Sequence, residues 1–263
     1  MVARRTLLAT LGPAVLAVRL GAPAIGDAAG RRPLLMIDPG HGGKDPGCTG
    51  VNGIEEKDIT LKVGLDLRRA LAATGRVRVE MTRTRDVFIT LADRVDMAIK
   101  AGASAFISLH CNHLADSAER GALIFTLSNH PSDALAARIA RAENSYDQGP
   151  ALKQYRDVSP RVRGILGHLQ LHATERAARI LAHDIVDSFQ HRIDLLPDPH
   201  RSANFAVLRD PYVPATLIEM GCLSNRRDAA LLDTLAYRKH LAGRIRDGVL
   251  TYFRTPNPER VAG

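Results

Sequence analysis

Short apolar runs alternate with longer segments of helical spacing along most of this chain. Pro33 to Ile37 reads as an apolar strand, and Glu56 to Ala73 as a helix with Ile59, Val63, Leu67 and Leu71 along one face. Val77 to Met81, Ala122 to Leu127, Phe205 to Leu208 and Ala215 to Ile218 read as further strands. Leu91 to Ala101 reads as a helix, as does Pro131 to Ser145 with proline in its first turn, and Asp228 to Phe253 supplies the closing helices. Phe106 to Leu109 is apolar throughout, as expected of a central strand covered on both faces. The alternation predicts an α/β fold, a three-layer sandwich with a mixed, largely parallel sheet flanked by helices, formed by residues 33–256. One stretch breaks the rhythm. No strand is visible between Asp147 and His200, where Val158 to Gln190 reads as one or two helices. A helical insertion at about 146–200 is therefore expected, and so long an excursion from a compact domain is usually functional or mobile.

The first 29 residues read as an export signal: Arg4 and Arg5 precede the mostly apolar Thr6–Val18. Ala22-Pro23-Ala24 and Asp27-Ala28-Ala29 offer small-residue cleavage sites, and Ala3-Arg4-Arg5-Thr6-Leu7-Leu8 resembles a twin-arginine signal. Arg19 interrupts the apolar run, which argues against a retained membrane anchor. Without this segment the formal charge falls from +8 to +5 or +6, still basic enough for an anionic partner. Tryptophan is absent and no basic-aromatic motif appears, which argues against nucleic acid. Cys48, Cys111 and Cys222 are odd in number and far apart, so a disulfide framework is not expected.

Chemistry gathers where strands end. Leu34-Leu35-Met36-Ile37-Asp38 runs into Pro39-Gly40-His41-Gly42-Gly43, Ala105 to Leu109 delivers His110, and Ala215 to Ile218 delivers Glu219. In open α/β sheets, sites lie outside the carboxyl ends of the strands. His41, His110 and a carboxylate at the start of the first helix, Glu55 or Glu56, make a two-histidine, one-carboxylate set of the kind that holds a catalytic zinc. Glu219, at the end of a buried strand, is the candidate general base beside it.

Four motifs, in order, resemble the zinc-dependent N-acetylmuramoyl-L-alanine amidases of the type 3 fold. They are Ile37-Asp38-Pro39-Gly40-His41-Gly42-Gly43, Gly53-Ile54-Glu55-Glu56-Lys57-Asp58, Ser108-Leu109-His110-Cys111-Asn112, and Leu217 to Asn225. The resemblance spans Pro33 to the C-terminus. It implies Zn2+ held by His41, Glu56 and His110, with Glu219 catalytic, and it selects Glu56 over Glu55 because the family's ligand directly precedes the Lys-Asp pair. Cys48, Cys111, His113 and Cys222 stand where the family usually has small or apolar residues, and His113 is a potential stray ligand. In the members that act at the division site, a helix-bearing insert blocks the zinc until an activator draws it away. Glu143 resembles the glutamate that fills the open zinc position in that resting state, and Val162, Ile165, Leu166 and Leu169 would form the apolar face that docks or meets the activator.

The resemblance thus implies an exported, periplasmic peptidoglycan hydrolase of cell-wall remodelling and daughter-cell separation, self-inhibited and served by a protein activator. Two other readings stay open: a zinc deacetylase or carboxypeptidase acting on the same polymer, and a non-catalytic wall-binding module. The complete set of His41, Glu56, His110 and Glu219 argues against the last.

Overall fold

The computed structural model describes residues 32–146, 165–210 and 212–254. Six strands form one sheet: β1 (Leu34–Pro39), β2 (Arg78–Met81), β3 (Ala105–Asn112), β4 (Ala122–Leu127), β5 (Leu195–Ala203) and β6 (Ala215–Cys222). Their order is β2-β1-β3-β6-β4-β5. β2, β1, β3 and β6 run parallel, β4 opposes β6, and β5 runs parallel to β4. The mixed, largely parallel sheet expected from the sequence is therefore present.

Helices α1 (Glu56–Ala72), α2 (Leu91–Lys100), α3 (Ala134–Ser145), α4 (Ile165–Phe189), α5 (Arg226–Asp233) and α6 (Leu235–Arg254) flank it. The two sheet faces bury different partners, as the alternation of side chains along a strand requires. Ile107, Leu109 and Ile218 pack with Ile59, Val63 and Leu67 of α1, Leu181 and Ile185 of α4, and Ile245 of α6. Phe106 and Leu217 pack on the opposite face with Ala98 of α2 and Ala136 and Ile139 of α3. These are the three layers.

Four expectations need correction. Phe205–Leu208 is not a strand: Ala206–Leu208 is a turn of 3-10 helix buried in the second core, and a four-residue apolar run carries no period that separates the two. A strand does precede His200: β5 begins at Leu195, hidden in the sequence by Pro197 and Pro199. Proline is tolerated there because β5 is an edge strand paired only with β4. The α3 helix starts at Ala134, not at Pro131, because the Asp133 side chain accepts a hydrogen bond from Ala136 N and caps it. Finally, α4 and β5 fall within 146–200 but belong to the body of the domain, since Leu181, Ala182, Ile185 and Phe189 are all fully buried. Of the expected insertion, residues 147–164 lie outside the described residues, as do 1–31.

Candidate metal centre and active site

β1, β3 and β6 run parallel and side by side, so their carboxyl ends open onto one edge. His41 follows β1 on a loop that takes a left-handed turn, with φ 59° at His41 itself. His110 lies on β3 directly across from Glu219 on β6. Glu56 opens α1 and is buried, whereas the neighbouring Glu55 is half-exposed and pairs with Lys57 at 3.2 Å. The loop must be glycine-rich because it is packed against its own cargo. A Cβ on Gly40 would overlap the His110 ring, and one on Gly47, at φ +67°, would sit 2.6 Å from Glu56 Oε2.

The ligand atoms of His41, Glu56, His110 and Glu143 all lie within 4.8 Å of one another. His41 Nε2 is 3.0 Å from Glu56 Oε1 and 3.4 Å from Glu143 Oε2. His110 Nδ1 is 3.2 Å from Glu56 Oε1 and 2.9 Å from Glu143 Oε2. Close as they are, His41 Nε2, His110 Nδ1 and Glu143 Oε2 are buried and make no properly directed hydrogen bond. They converge on a shared point instead of pairing, which is the geometry of a coordination site.

The far side of each group is fixed. His41 Nδ1 faces Asp45 Oδ2 at 2.9 Å, leaving Nε2 bare toward the cluster. His110 Nε2 lies 3.1 Å from Ser108 Oγ, whose own hydroxyl donates to Asp38 Oδ2 at 2.7 Å. With its proton committed to Asp38, Ser108 can only accept from the imidazole, so Nε2 carries the hydrogen and Nδ1 is bare. Asp38 is anchored in turn by Arg94 at 2.7 Å and Thr82 at 2.6 Å. Glu56 accepts from the backbone N–H groups of Cys48 and Cys111 at 2.9 and 2.8 Å. Such outer partners orient metal ligands and set their tautomers.

Charge follows the geometry. Burial pushes the His110 imidazole down, but the carboxylates of Glu143 and Glu56 overcome it and hold it up at about 10. His41 is likewise raised, with Glu56 and Asp45 outweighing its burial, and the two imidazoles outweigh the burial of Glu56 to hold it well below the usual carboxylate range. The cluster therefore draws positive charge into a buried place, a demand that a divalent cation meets. Glu219 is the opposite case: burial, reinforced by the charge of Glu143, pushes its carboxyl well above the usual range. Neither of its oxygens has a partner.

Glu143 arrives from the last turn of α3, and Tyr146, just past the helix, sets its ring edge-on to His41 at 4.7 Å. The Asn144 carboxamide bonds at both ends, donating to Asn204 O and accepting from Ala206 N, each at 2.8 Å.

All five residues singled out in the sequence thus meet here: His41, Glu56, His110 and Glu143 in the cluster, and Glu219 opposite His110. His113 is exposed and outside the cluster. Val162 and the side chains of Ile165, Leu166 and Leu169 lie outside the described residues. Sequence reading assigned no role to Asp45, Ser108, Asp38, Arg94 or Tyr146. Two had a usable signal, Asp45 four residues after His41 and Ser108 two before His110 on the same strand face.

Comparison with known proteins identifies the family of the chain. The profile of the family described as N-acetylmuramoyl-L-alanine amidase matches residues 35–251. The chain is 34% identical over 225 residues to N-acetylmuramoyl-L-alanine amidase AmiA of Salmonella typhimurium, covering 85% of this chain and 77% of that one. Against AmiA of Escherichia coli the identity is also 34%, covering 86% and 78%. Among solved structures, N-acetylmuramoyl-L-alanine amidase AmiC2 of Nostoc punctiforme superposes with a TM-score of 0.62 at 25% identity, covering 85% of this chain and 98% of that one. Among the described residues no helix is long and apolar enough to cross a membrane.

Proposed function

Because the chain belongs to the N-acetylmuramoyl-L-alanine amidase family, we propose that it is an exported, periplasmic zinc hydrolase that cuts the amide between N-acetylmuramic acid and L-alanine in peptidoglycan during daughter-cell separation. One observation carries the reading: His41 Nε2, His110 Nδ1 and Glu56 Oε1 converge on a buried point beside the unpartnered carboxyl of Glu219. Two imidazoles and a carboxylate are the donor set of a catalytic zinc with one position left open. Zinc bound there would supply Lewis acidity to a water and to the scissile carbonyl.

The chain's own groups do the rest. Asp45 and Ser108 hold the two rings from behind, so that His41 Nε2 and His110 Nδ1 are the nitrogens aimed inward, where a bound cation would take the place of their protons. Withdrawal of Glu143 and the charge of a bound cation would both favour the ionised form of Glu219, which then accepts the proton of the attacking water and returns it to the departing alanine nitrogen, as general base and then general acid. Glu143, with its Oε2 2.9 Å from His110 Nδ1, would occupy the position that the substrate and water need, and Tyr146 covers His41. Catalysis then waits on the departure of the last turn of α3, the event that a protein activator would drive.

The test is stem-peptide release from purified peptidoglycan by the chain and by its Glu143→Ala variant, with bound zinc quantified in both. A quiet parent and an active variant are expected. Equal activity would remove the self-inhibition and keep the amidase. Zinc binding without stem-peptide release by either would turn the assignment toward a deacetylase or carboxypeptidase.

A further inference from the structure

Asn112 is the last residue of β3, two positions beyond His110 and on the same face as His110 and Ser108. It is 3% exposed, and its Nδ2 is buried without a hydrogen-bond partner. Leaving a buried amide donor unpaired is destabilising, so a fold keeps one where something else completes it. Acceptors are near at hand. Both oxygens of Glu219 are also buried and unpartnered, on the neighbouring strand one register step back. The two do not satisfy each other.

The reason lies in the backbone between them. The β3–β6 ladder pairs His110 with Glu219 and then Asn112 with Cys222, so β6 carries an extra residue at Met220–Gly221. Gly221 sits at φ +153° and Asp228 receives the N–H of Cys222 at 3.0 Å, which pins the irregularity. A bulge beside a site re-aims the side chains on either side of it. Here it leaves a donor on β3 and an acceptor on β6, each without a partner among the described residues.

We propose that Asn112 is a substrate-positioning residue, whose Nδ2 donates to the carbonyl oxygen of the L-alanine residue, the first carbonyl of the stem peptide beyond the scissile amide. This deepens the amidase reading and rests on it. The spacing suits it: residues i and i+2 of a strand are about 7 Å apart, so a chain whose scissile bond lies at the metal cluster passes its next carbonyl toward Asn112. The donor would also favour an amide whose amine side continues as a peptide over a sugar N-acetyl group, whose amine side offers no second carbonyl.

The experiment uses the zinc-loaded chain carrying Glu143→Ala, with and without Asn112→Ala, on a disaccharide–tripeptide fragment of the wall polymer. Asn112→Ala is expected to raise KM about tenfold to a hundredfold, with kcat altered less than about threefold and with zinc content and Tm unchanged. A fall in Tm with KM unchanged makes Asn112 structural and overturns the proposal, as does no change in any readout. If neither protein cleaves the fragment, the amidase reading has failed, and calorimetric binding of the same fragment decides Asn112. Binding weakened about tenfold by the substitution supports the contact; equal binding, or none to either protein, overturns it.

Discussion

Two regions meet at the metal cluster and are held in opposite ways. The cradle formed by β1, β3 and the start of α1 fixes every ligand from behind. Glu56 is gripped by two backbone N–H groups, His41 by Asp45, and His110 by a relay through Ser108 to Asp38 and the fully buried Arg94. The last turn of α3 has no such apparatus. Glu143 makes no hydrogen bond through its buried Oε2, and its neighbour Asn144 supplies a single two-ended clasp to the segment after β5. On the proposed reading, the groups that would stay are held from behind, and the group that would leave is tied down by one clasp.

That contrast can be broken from several sides. The largest effect belongs to Glu219. In a Glu143→Ala background, Glu219→Gln is expected to lower stem-peptide release by about 10²–10⁴ while zinc stays bound, checked by product chromatography and metal analysis. Near-full activity would remove Glu219 from the chemistry and leave the cradle without a base.

Next comes the cradle's outer layer. Asp45→Asn keeps the size of the side chain but weakens its hold on the His41 Nδ1 hydrogen. Zinc affinity, read by competition with a chelator, is expected to fall about 10- to 100-fold. A smaller effect, of opposite sign, follows from loosening the cover. Asn144→Ala removes both ends of the clasp and should increase activity of the otherwise unaltered chain by about five- to tenfold, consistent with losing about 1 kcal/mol of docking. Should Asn144→Ala act like Asp45→Asn, the two regions would not be separable.

The smallest effect is a control away from both. Burial, with His183 and Arg179 beside it, holds the His200 imidazole down at about 4. His200 stacks on His183 at 4.8 Å and meets Thr126 Oγ1 at 3.1 Å, so it joins α4 to β4 and β5. Because the folded value lies below the ordinary 6.5, the unfolded chain takes up a proton first as pH falls. Stability is therefore lost from pH 6.5 downward toward 4, and His200 contributes no such loss above that window. Thermal melts at pH 7 and pH 5 should show a smaller drop for His200→Gln than for the parent.

Much of this was legible before any coordinates. Apolar strands that end on His41, His110 and Glu219 announce both the sheet and its functional edge, because few forces place ionisable groups there except chemistry. Supporting residues were harder to see. Asp38, Ser108 and Arg94 come from three separate elements and form a relay only once β1, β3 and α2 are packed. Asn112 looked like part of a motif, and its unpaired donor is visible only when its surroundings can be searched. The β5 strand was hidden by its prolines, which an edge position forgives. α4 read as an excursion because its role as a core helix depends on α6, which arrives some fifty residues later.

The position of Glu143 carries a thermodynamic corollary. If its carboxylate completes the metal's coordination, cation and cover are cooperative ligands of one protein, and linkage makes the coupling reciprocal. Loading with zinc tightens α3 by the same factor by which a docked α3 tightens zinc. A partner that lifts α3 must then work against the metal, and the enzyme would pass through its weakest hold on zinc at the moment it becomes active. The cradle, with each of its ligands anchored from behind, is what would keep the ion in place during that interval.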